Sequence, residues 1–151
     1  MKHKFYPYRA SGDFLRFTFE SISEQRIVRK KAEFVPISPV LYNFAFGDVI
    51  DDEEINDLAV TNNKDTYTVL ATVIRIIQDF LSSNEDKLVY FQGSTPSRTR
   101  MYQIILTKEM ANWEEKFTVY GVIDGEMMPF KIDFRFDAFI IQLKNNMQHG
   151  D

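Results

Sequence analysis

The middle of the chain contains the feature that most constrains its fold, a segment with apolar residues at three- and four-residue steps. Those residues are Tyr67, Leu70, Val73, Ile74, Ile77, Phe80 and Leu81. This spacing predicts an amphipathic helix, with Asp65 or Asn63 as the residue that caps its first N–H groups. Because a helix with one apolar stripe must bury that stripe, a second layer has to lie beside it.

The second layer is predicted to be a β-sheet, because the composition favours strands. The chain contains 14 Phe and 7 Tyr, and bulky aromatic side chains suit the pleated, half-buried surface of a strand. Pro36 and Pro39 mark the end of a strand ladder, since proline has no N–H to donate. Strand patterns precede the helix at residues 14–19, 27–35 and 40–46, with a connection at Ser23-Glu24-Gln25.

The aromatic residues of these early strands are predicted to belong to the core. They are Phe14, Phe17, Phe19, Phe44 and Phe46. A sheet that stacks nucleic-acid bases would show basic residues between its aromatic ones, and these strands lack that interleaving. Further along, residues 87–91 form a short apolar run, which predicts a central strand buried on both faces.

A second helix is predicted to begin after Gly93. Ser94 or Thr95 is placed to cap it, and Pro96 suits the first helical position because its ring presets the helical φ angle. Its apolar stripe is Met101, Tyr102, Ile105 and Leu106, with a strand over residues 101–106 as the alternative. Thr107 resembles a renewed cap, so the helix is predicted to break and restart through Met110, Trp113 and Phe117.

The C-terminal third returns to strand patterns, at residues 117–123, 127–132 and 138–143, with a tight hairpin turn at Asp124-Gly125. This order predicts an α+β fold, a mixed or antiparallel sheet of about six to seven strands with two to three helices packed on it. The length of 151 residues, without repeats or linkers, predicts one domain over 1–151. About the last eight residues are predicted to be frayed.

Charge and residue types narrow the function classes. The formal net charge of -4 gives no whole-molecule attraction to nucleic acid or an anionic membrane, so an anion would have to be bound locally. The chain has no Cys, which excludes a thiolate nucleophile and suits a reducing cytoplasm. No apolar run reaches the length of a signal peptide or a membrane span. We predict a cytoplasmic protein without a membrane partner or a cofactor.

One segment combines the residue types that bind anions. N–H groups at a helix start carry a partial positive charge, and arginine offers a planar fork for phosphate or carboxylate. Arg98 and Arg100 carry this hypothesis, because arginine at a helix start opposes the helix dipole unless an acid or a ligand answers it. The alternative is an ordinary helix start with solvated arginines. The candidate ligand-binding residues are Gly93, Ser94, Thr95, Ser97, Arg98, Thr99, Arg100 and Tyr102.

The acidic segment at residues 47–57 lacks periodicity, which predicts a loop, and Leu58-Ala59-Val60 fits a short strand after it. Its carboxylates suit a divalent cation, but the spacing is not that of a helix-loop-helix calcium site, so a solvated loop is favoured. In a third interpretation, Arg98 or Arg100 pairs with an acid of this segment, which removes the need for a ligand. The acids concerned are Asp48, Asp51 and Asp57.

Three blocks of the sequence resemble a family of small bacterial domains of unknown function. They are Tyr42-Asn43-Phe44-Ala45-Phe46-Gly47-Asp48, Thr61-Asn62-Asn63 leading into Val69-Leu70-Ala71-Thr72-Val73, and residues 93–102. In that family the last block reads Gly-Ser-Thr-Pro-Ala-Arg-Thr-Arg-Leu-Tyr, so Ser97 and Met101 depart from it and both arginines are kept. The resemblance implies a bacterial cytoplasmic protein and brings no activity, ligand or partner with it.

Two functions follow from these residues. The first is a binding or interaction protein, with a homodimer among its candidate assemblies, in which the turn at 93–100 holds a phosphate-bearing ligand or an acidic group of a protein partner. The second is an enzyme acting on a phosphate-containing or nucleic-acid substrate, with Arg98 and Arg100 as anion clamps and an acid from residues 48–57 holding a metal. The enzyme requires both guanidiniums and a carboxylate to converge on one pocket.

Overall fold

The structure is a computed structural model that describes residues 5–50, 54–56 and 65–144. Within these ranges the chain forms nine strands and three helices. The strands are β1 (Tyr8–Ala10), β2 (Arg16–Ile22), β3 (Ile27–Pro36), β4 (Leu41–Ile50), β5 (Glu54–Asn56), β6 (Leu88–Phe91), β7 (Phe117–Ile123), β8 (Glu126–Pro129) and β9 (Ala138–Leu143). The helices are α1 (Thr66–Ser83), α2 (Pro96–Lys108) and α3 (Met110–Trp113).

The nine strands belong to one sheet, in the order β1-β2-β3-β4-β6-β9-β7-β8, with β5 beside the end of β4. β4 and β6 are parallel, and the other described pairs are antiparallel. Parallel neighbours need a crossover connection, which α1 supplies between β4 and β6. The predicted α+β class and mixed sheet are therefore confirmed, and the sheet has more strands than predicted.

The aromatic core lies on the sheet face that the helices cover. Phe34 of β3 and Phe91 of β6 share this face, since both pair with the same residue of β4. Phe80 of α1 stacks on Phe34 with ring centroids 4.0 Å apart, and Tyr102 of α2 meets Phe91 edge-on at 5.1 Å. The apolar stripe predicted for α1 is buried except at the partly exposed Tyr67, so its spacing identified both the helix and its packing face.

The early strands follow the predicted alternation with shifted ends. β2 begins at Arg16 rather than residue 14, and the connection to β3 lies where it is predicted. β1 is absent from the prediction, because three residues are too few to show an alternation. The aromatic residues predicted for the core lie there: Phe17, Phe19 and Phe44 are buried, and Phe14 and Phe46 pack partly buried against the core.

The interpretation of residues 47–57 as a loop is wrong in part. β4 continues to Ile50 and β5 pairs with it, so strand pairing includes all of the described part of the segment. Asp48 is 4% exposed, and its Oδ1 lies 2.5 Å from Nζ of Lys30 on β3. Asp48 is therefore a partner in a buried ion pair and not a solvated carboxylate. The predicted strand at 58–60, Asp51, Asp57, the alternative cap Asn63 and the frayed end after residue 144 lie outside the described residues.

The second helical segment breaks, as predicted, but at different residues. Residues 101–106 are helical, so the strand alternative is wrong. Glu109 rather than Thr107 precedes α3, because the Thr107 hydroxyl donates back to the Gln103 carbonyl at 2.9 Å. The predicted continuation to Phe117 is wrong, since that residue begins β7.

The strand predicted at 87–91 is central, because β6 lies between β4 and β9. Its predicted burial on both faces is wrong. Val89 and Phe91 are fully buried, whereas Leu88 and Tyr90 are partly exposed. The helices cover only the face that carries the first pair.

The hairpin turn predicted between β7 and β8 is confirmed. Asp124 and Gly125 have φ angles of 53° and 80°, and two left-handed residues in a row suit a two-residue hairpin that follows the twist of its strands. The strand after the turn, β8, ends at Pro129 rather than at residue 132.

Two tyrosines tie the first described residues to α1. The Tyr6 hydroxyl donates to Asp65, and the Tyr8 hydroxyl donates to Asp79. Burial, together with the contact to Asp79, raises the pKa of Tyr8. Asp65 precedes α1 as predicted, but its side chain accepts the Tyr6 hydrogen bond and makes no capping bond to the helix.

We expect Tyr8→Phe to lower the free energy of unfolding by about 1 kcal/mol, because the variant removes a hydrogen bond to the Asp79 carboxylate. Urea unfolding can be followed by fluorescence of Trp113, the single tryptophan. Tyr90→Phe is the matched control, since its hydroxyl meets Gln92 at 3.2 Å on the exposed surface, and its change should stay below about 0.5 kcal/mol. Equal losses in the two variants would contradict the assignment.

Candidate functional site

The candidate site lies where β6 ends and α2 begins, at the carboxyl end of β6, whose last residue Phe91 pairs with Phe44 in the middle of the parallel strand β4. In sheets with parallel strands, ligands bind at such edges, because the connecting backbone leaves a crevice there. The Thr95 hydroxyl accepts a hydrogen bond from the Arg98 N–H at 3.2 Å, and Pro96 occupies the first helical position. Both features of the predicted helix start are therefore confirmed, with Thr95 as the cap.

Gly93 is required by the close approach of the helix. Its N–H donates to Oγ1 of Thr99 at 3.0 Å, and the Thr99 hydroxyl donates to the Thr95 carbonyl at 3.2 Å. A Cβ atom on Gly93 would lie 2.5 Å from the Thr99 nitrogen and 2.7 Å from the Arg98 carbonyl carbon. Only a residue without a side chain permits this turn.

The backbone at the start of α2 contributes little to anion binding. Pro96 has no N–H, the Arg98 N–H is taken by the Thr95 side chain, and the Thr99 N–H donates to the Thr95 carbonyl at 3.0 Å. Ser97 alone in the first turn keeps an N–H without a hydrogen bond inside the helix start. Anion binding here therefore depends on side chains.

Arg98 and Arg100 line two different clefts. Positions two apart on a helix point to different sides, because each residue turns the direction by about 100°. Arg98 lies with Asn43 and Tyr102 in a cleft of about 170 Å³, where its Nη1 donates to Ser94 Oγ at 2.5 Å. Arg100 lines a larger cleft on the other side of the turn.

The larger cleft brings together two arginines from distant parts of the chain. It has a volume of about 420 Å³ and is lined by Thr95, Thr99, Arg100, Gln103, Arg135 and Asp137, among others. Neither the Arg100 nor the Arg135 side chain forms a hydrogen bond or an ion pair with another of the described residues. Two arginines therefore line one cleft, and no described residue forms an ion pair with either of them.

Gln103 of α2 positions Arg135. Its side chain is 4% exposed; the amide nitrogen donates to the Phe134 carbonyl, and the amide oxygen accepts the Phe136 N–H at 3.4 Å. Arg135 lies between the two residues whose backbone is held. The segment before β9 is thereby fixed against the helix that carries Arg100.

A family of unknown function, DUF6934, has a model that matches residues 2–144 of this chain. The chain belongs to DUF6934. The matched range includes both clefts and every described strand and helix, so the predicted membership of a family of unknown function is confirmed. The family's version of the block at residues 93–102 stays a prediction. No curated protein and no solved structure matches the chain.

The DUF6934 chain divides the residues predicted for the site between the two clefts. Gly93 and Ser94 line both clefts, Arg98 and Tyr102 line the smaller one, and Thr95, Thr99 and Arg100 line the larger one. Ser97 is exposed and lines neither. Sequence reasoning missed Arg135, Gln103 and Asp137. The signal for Arg135 is its place between Phe134 and Phe136, where a charged residue separates two apolar ones just before a strand.

The described carboxylates of this DUF6934 protein do not group as the metal hypothesis requires, while Asp51 and Asp57 lie outside the described residues. Asp48 faces Lys30 in the core, and the described residues hold no group of three or more His, Asp or Glu side chains placed to bind a metal ion. Asp137 lines the larger cleft, and its Oδ2 accepts the Asp124 N–H at 2.9 Å.

Among the described helices, none has the length and apolarity to cross a membrane.

Proposed function

We propose that this DUF6934 protein binds a phosphate-bearing ligand between Arg100 and Arg135. The observation that supports this is that Arg100 of α2 and Arg135 of the segment before β9 line one cleft, and no described residue pairs with either side chain. Each guanidinium offers parallel N–H donors that match the oxygens of a phosphate. Two forks from separate elements can hold one phosphate from two sides.

The electrostatics of α2 support the same proposal. The first turn of α2 contains no acidic residue but includes Arg98, and Arg100 follows at the start of the second turn, so cations lie near the positive end of the helix dipole. This placement costs stability unless an anion is nearby. A bound phosphate would offset the repulsion between Arg100 and the helix dipole. A helix start with no ligand would gain nothing from an arginine at this position.

Binding is better supported than catalysis by Arg98 and Arg100 together. The enzyme hypothesis uses these two arginines as a joint clamp, but they line separate clefts. A clamp on one phosphate needs Arg135 in place of Arg98.

The single domain over 1–151, the bacterial source, the cytoplasmic location and the homodimer stay predictions.

Thermal unfolding in inorganic phosphate tests the proposal. For the wild type at a phosphate concentration one hundred times the dissociation constant, we expect about 2.7 kcal/mol of added stability, which is a rise in Tm of roughly 5–10 °C for a chain of this size. Arg100→Ala and Arg135→Ala should each lose most of that rise, because each removes one of the two forks.

Two control variants locate the effect. Arg9→Ala changes the net charge equally on the exposed strand β1, and Arg98→Ala alters the neighbouring cleft. Both should keep the phosphate-dependent rise in Tm. The proposal fails if phosphate stabilises all five proteins equally, or if only Arg98→Ala abolishes the rise.

A further inference from the structure

We infer that the phosphate-bearing ligand is a hydroxyl-rich phosphoester of the sugar-phosphate class, with its phosphate between Arg100 and Arg135 and a hydroxyl donating to Asp137. This inference rests on the proposed function and deepens it. It names the part of the ligand that the arginines do not contact. The supporting observations are the size of the cleft, the chemistry of its walls and the placement of one carboxylate.

The cleft is larger than a bare phosphate requires. Its volume of about 420 Å³ falls within the roughly 300–1,000 Å³ typical of small-molecule sites. Gln92, Ser94 and Thr95 are also among the lining residues, and the Thr95 hydroxyl, which accepts the Arg98 N–H, has a proton to donate. Groups of this kind satisfy the hydrogen bonds of a polar ligand, which an apolar ligand would leave unmade.

The cleft lacks an aromatic surface for a nucleobase. Phe136 is the one aromatic side chain among its described lining residues, and it is 6% exposed. Phe130 and Phe134 lie stacked with its ring at centroid distances of 5.8 and 6.0 Å. Because base recognition in such sites relies on stacking against open aromatic faces, a hydroxyl-rich group fits these walls better than a base does.

Asp137 indicates what else the ligand carries. Its Oδ2 accepts the Asp124 N–H, which fixes the carboxylate at the rim of the cleft, and an ionised carboxylate has further lone pairs for donors. A second anionic group on the ligand would be repelled there. A neutral hydroxyl would donate a charge-assisted hydrogen bond, which is stronger than a bond between neutral groups.

Calorimetric titration of the full chain with three probes tests the inference. The probes are inorganic phosphate, phenyl phosphate and glucose 6-phosphate, with glucose as the control without phosphate. We expect wild-type protein to bind glucose 6-phosphate about tenfold more tightly than phenyl phosphate, the effect of one hydrogen bond to a charged group. Glucose alone should show no binding.

Asp137→Asn separates recognition of the hydroxyl from binding of the phosphate. Asparagine keeps an oxygen that accepts the Asp124 N–H, so the turn between β7 and β8 keeps this contact. We expect the variant to bind glucose 6-phosphate about tenfold more weakly and inorganic phosphate slightly more tightly, because a negative charge near the phosphate is gone. Changes of opposite sign are not expected from a structural defect alone.

The outcomes distinguish this inference from the proposed function. If phosphate and phenyl phosphate bind through Arg100 and Arg135 but glucose 6-phosphate binds no more tightly, the inference is overturned and the proposed function stands. If none of the phosphate compounds binds, both are overturned. The comparison of probes on wild-type protein needs no variant, so the result does not depend on whether Asp137→Asn folds.

Discussion

Asp48→Asn is expected to lower the free energy of unfolding by about 3–5 kcal/mol, the cost of leaving a buried charge without its counter-charge. Lys30 is 2% exposed, and its ammonium donates to Asp48 on the helix-covered side of the sheet. The Phe46 ring, whose centroid lies 6.0 Å away, cannot replace a carboxylate. Asparagine preserves the shape of the aspartate, so the loss measures charge rather than packing. Urea unfolding followed by Trp113 fluorescence gives the value.

The double variant Lys30→Met/Asp48→Leu is the control. It removes both charges and fills similar volumes with apolar atoms, and such replacements of buried ion pairs are often neutral or stabilising. We therefore expect the double variant to be more stable than Asp48→Asn. A loss below about 1 kcal/mol in Asp48→Asn, or a double variant that is less stable than the single one, would contradict a dry ion pair at this position.

Gly93→Ala is expected to cost about 3 kcal/mol or more and to abolish phosphate binding. The new methyl group would overlap backbone atoms of residues 98 and 99 at 2.5–2.7 Å, and backbone cannot move aside as a flexible side chain can. Relief would require breaking the hydrogen bond from Gly93 to Thr99, which adds about 1 kcal/mol to the cost of overpacking. The shifted helix start would also move Arg100 away from Arg135.

Gly12→Ala is the matched control for this substitution, because nothing lies within 4 Å of a Cβ atom at that position. Its stability should change by less than about 0.5 kcal/mol. Thermal unfolding with and without inorganic phosphate measures stability and binding in one experiment. If Gly93→Ala retains both the wild-type Tm and its response to phosphate, the tight turn does not hold the site.

Much of the fold could be predicted from local patterns, because helix periodicity and turn residues depend on interactions between residues that are close in the chain. The spacing from Tyr67 to Leu81 predicts α1, and the pair Asp124-Gly125 predicts a turn with two left-handed residues. The Lys30–Asp48 ion pair could not be predicted in this way. A carboxylate in an acidic segment is usually solvated. The cation that pairs with Asp48 is on β3, and only the register between β3 and β4 in the assembled sheet brings Lys30 and Asp48 together.

The helix start that forms the site could be predicted from the sequence, but the shared cleft of Arg100 and Arg135 could not. Thr95 and Pro96 predict a helix start. Helix geometry alone implies that the side chains of Arg98 and Arg100 point in different directions. Arg135 could not be paired with Arg100, because their proximity depends on Gln103, whose polar side chain gives no sign in the sequence that it is buried. A contact between two elements that are distant in the chain produces no periodic pattern of residues in a single sequence.

The four-residue strand β6 joins the two antiparallel parts of the sheet, pairing with β4 on one side and β9 on the other. During synthesis, β4 and β6 are made well before β9, which follows two helices and a hairpin. The 46 residues from 92 to 137 lie between β6 and β9. At about 5–20 residues per second they take about 2–9 s, during which one edge of β6 has no strand beside it. Val89 and Phe91 lie on that edge strand until β9 arrives. Until β9 pairs with it, the nascent chain therefore exposes an edge of β6 that the finished sheet covers, and such an edge invites aggregation.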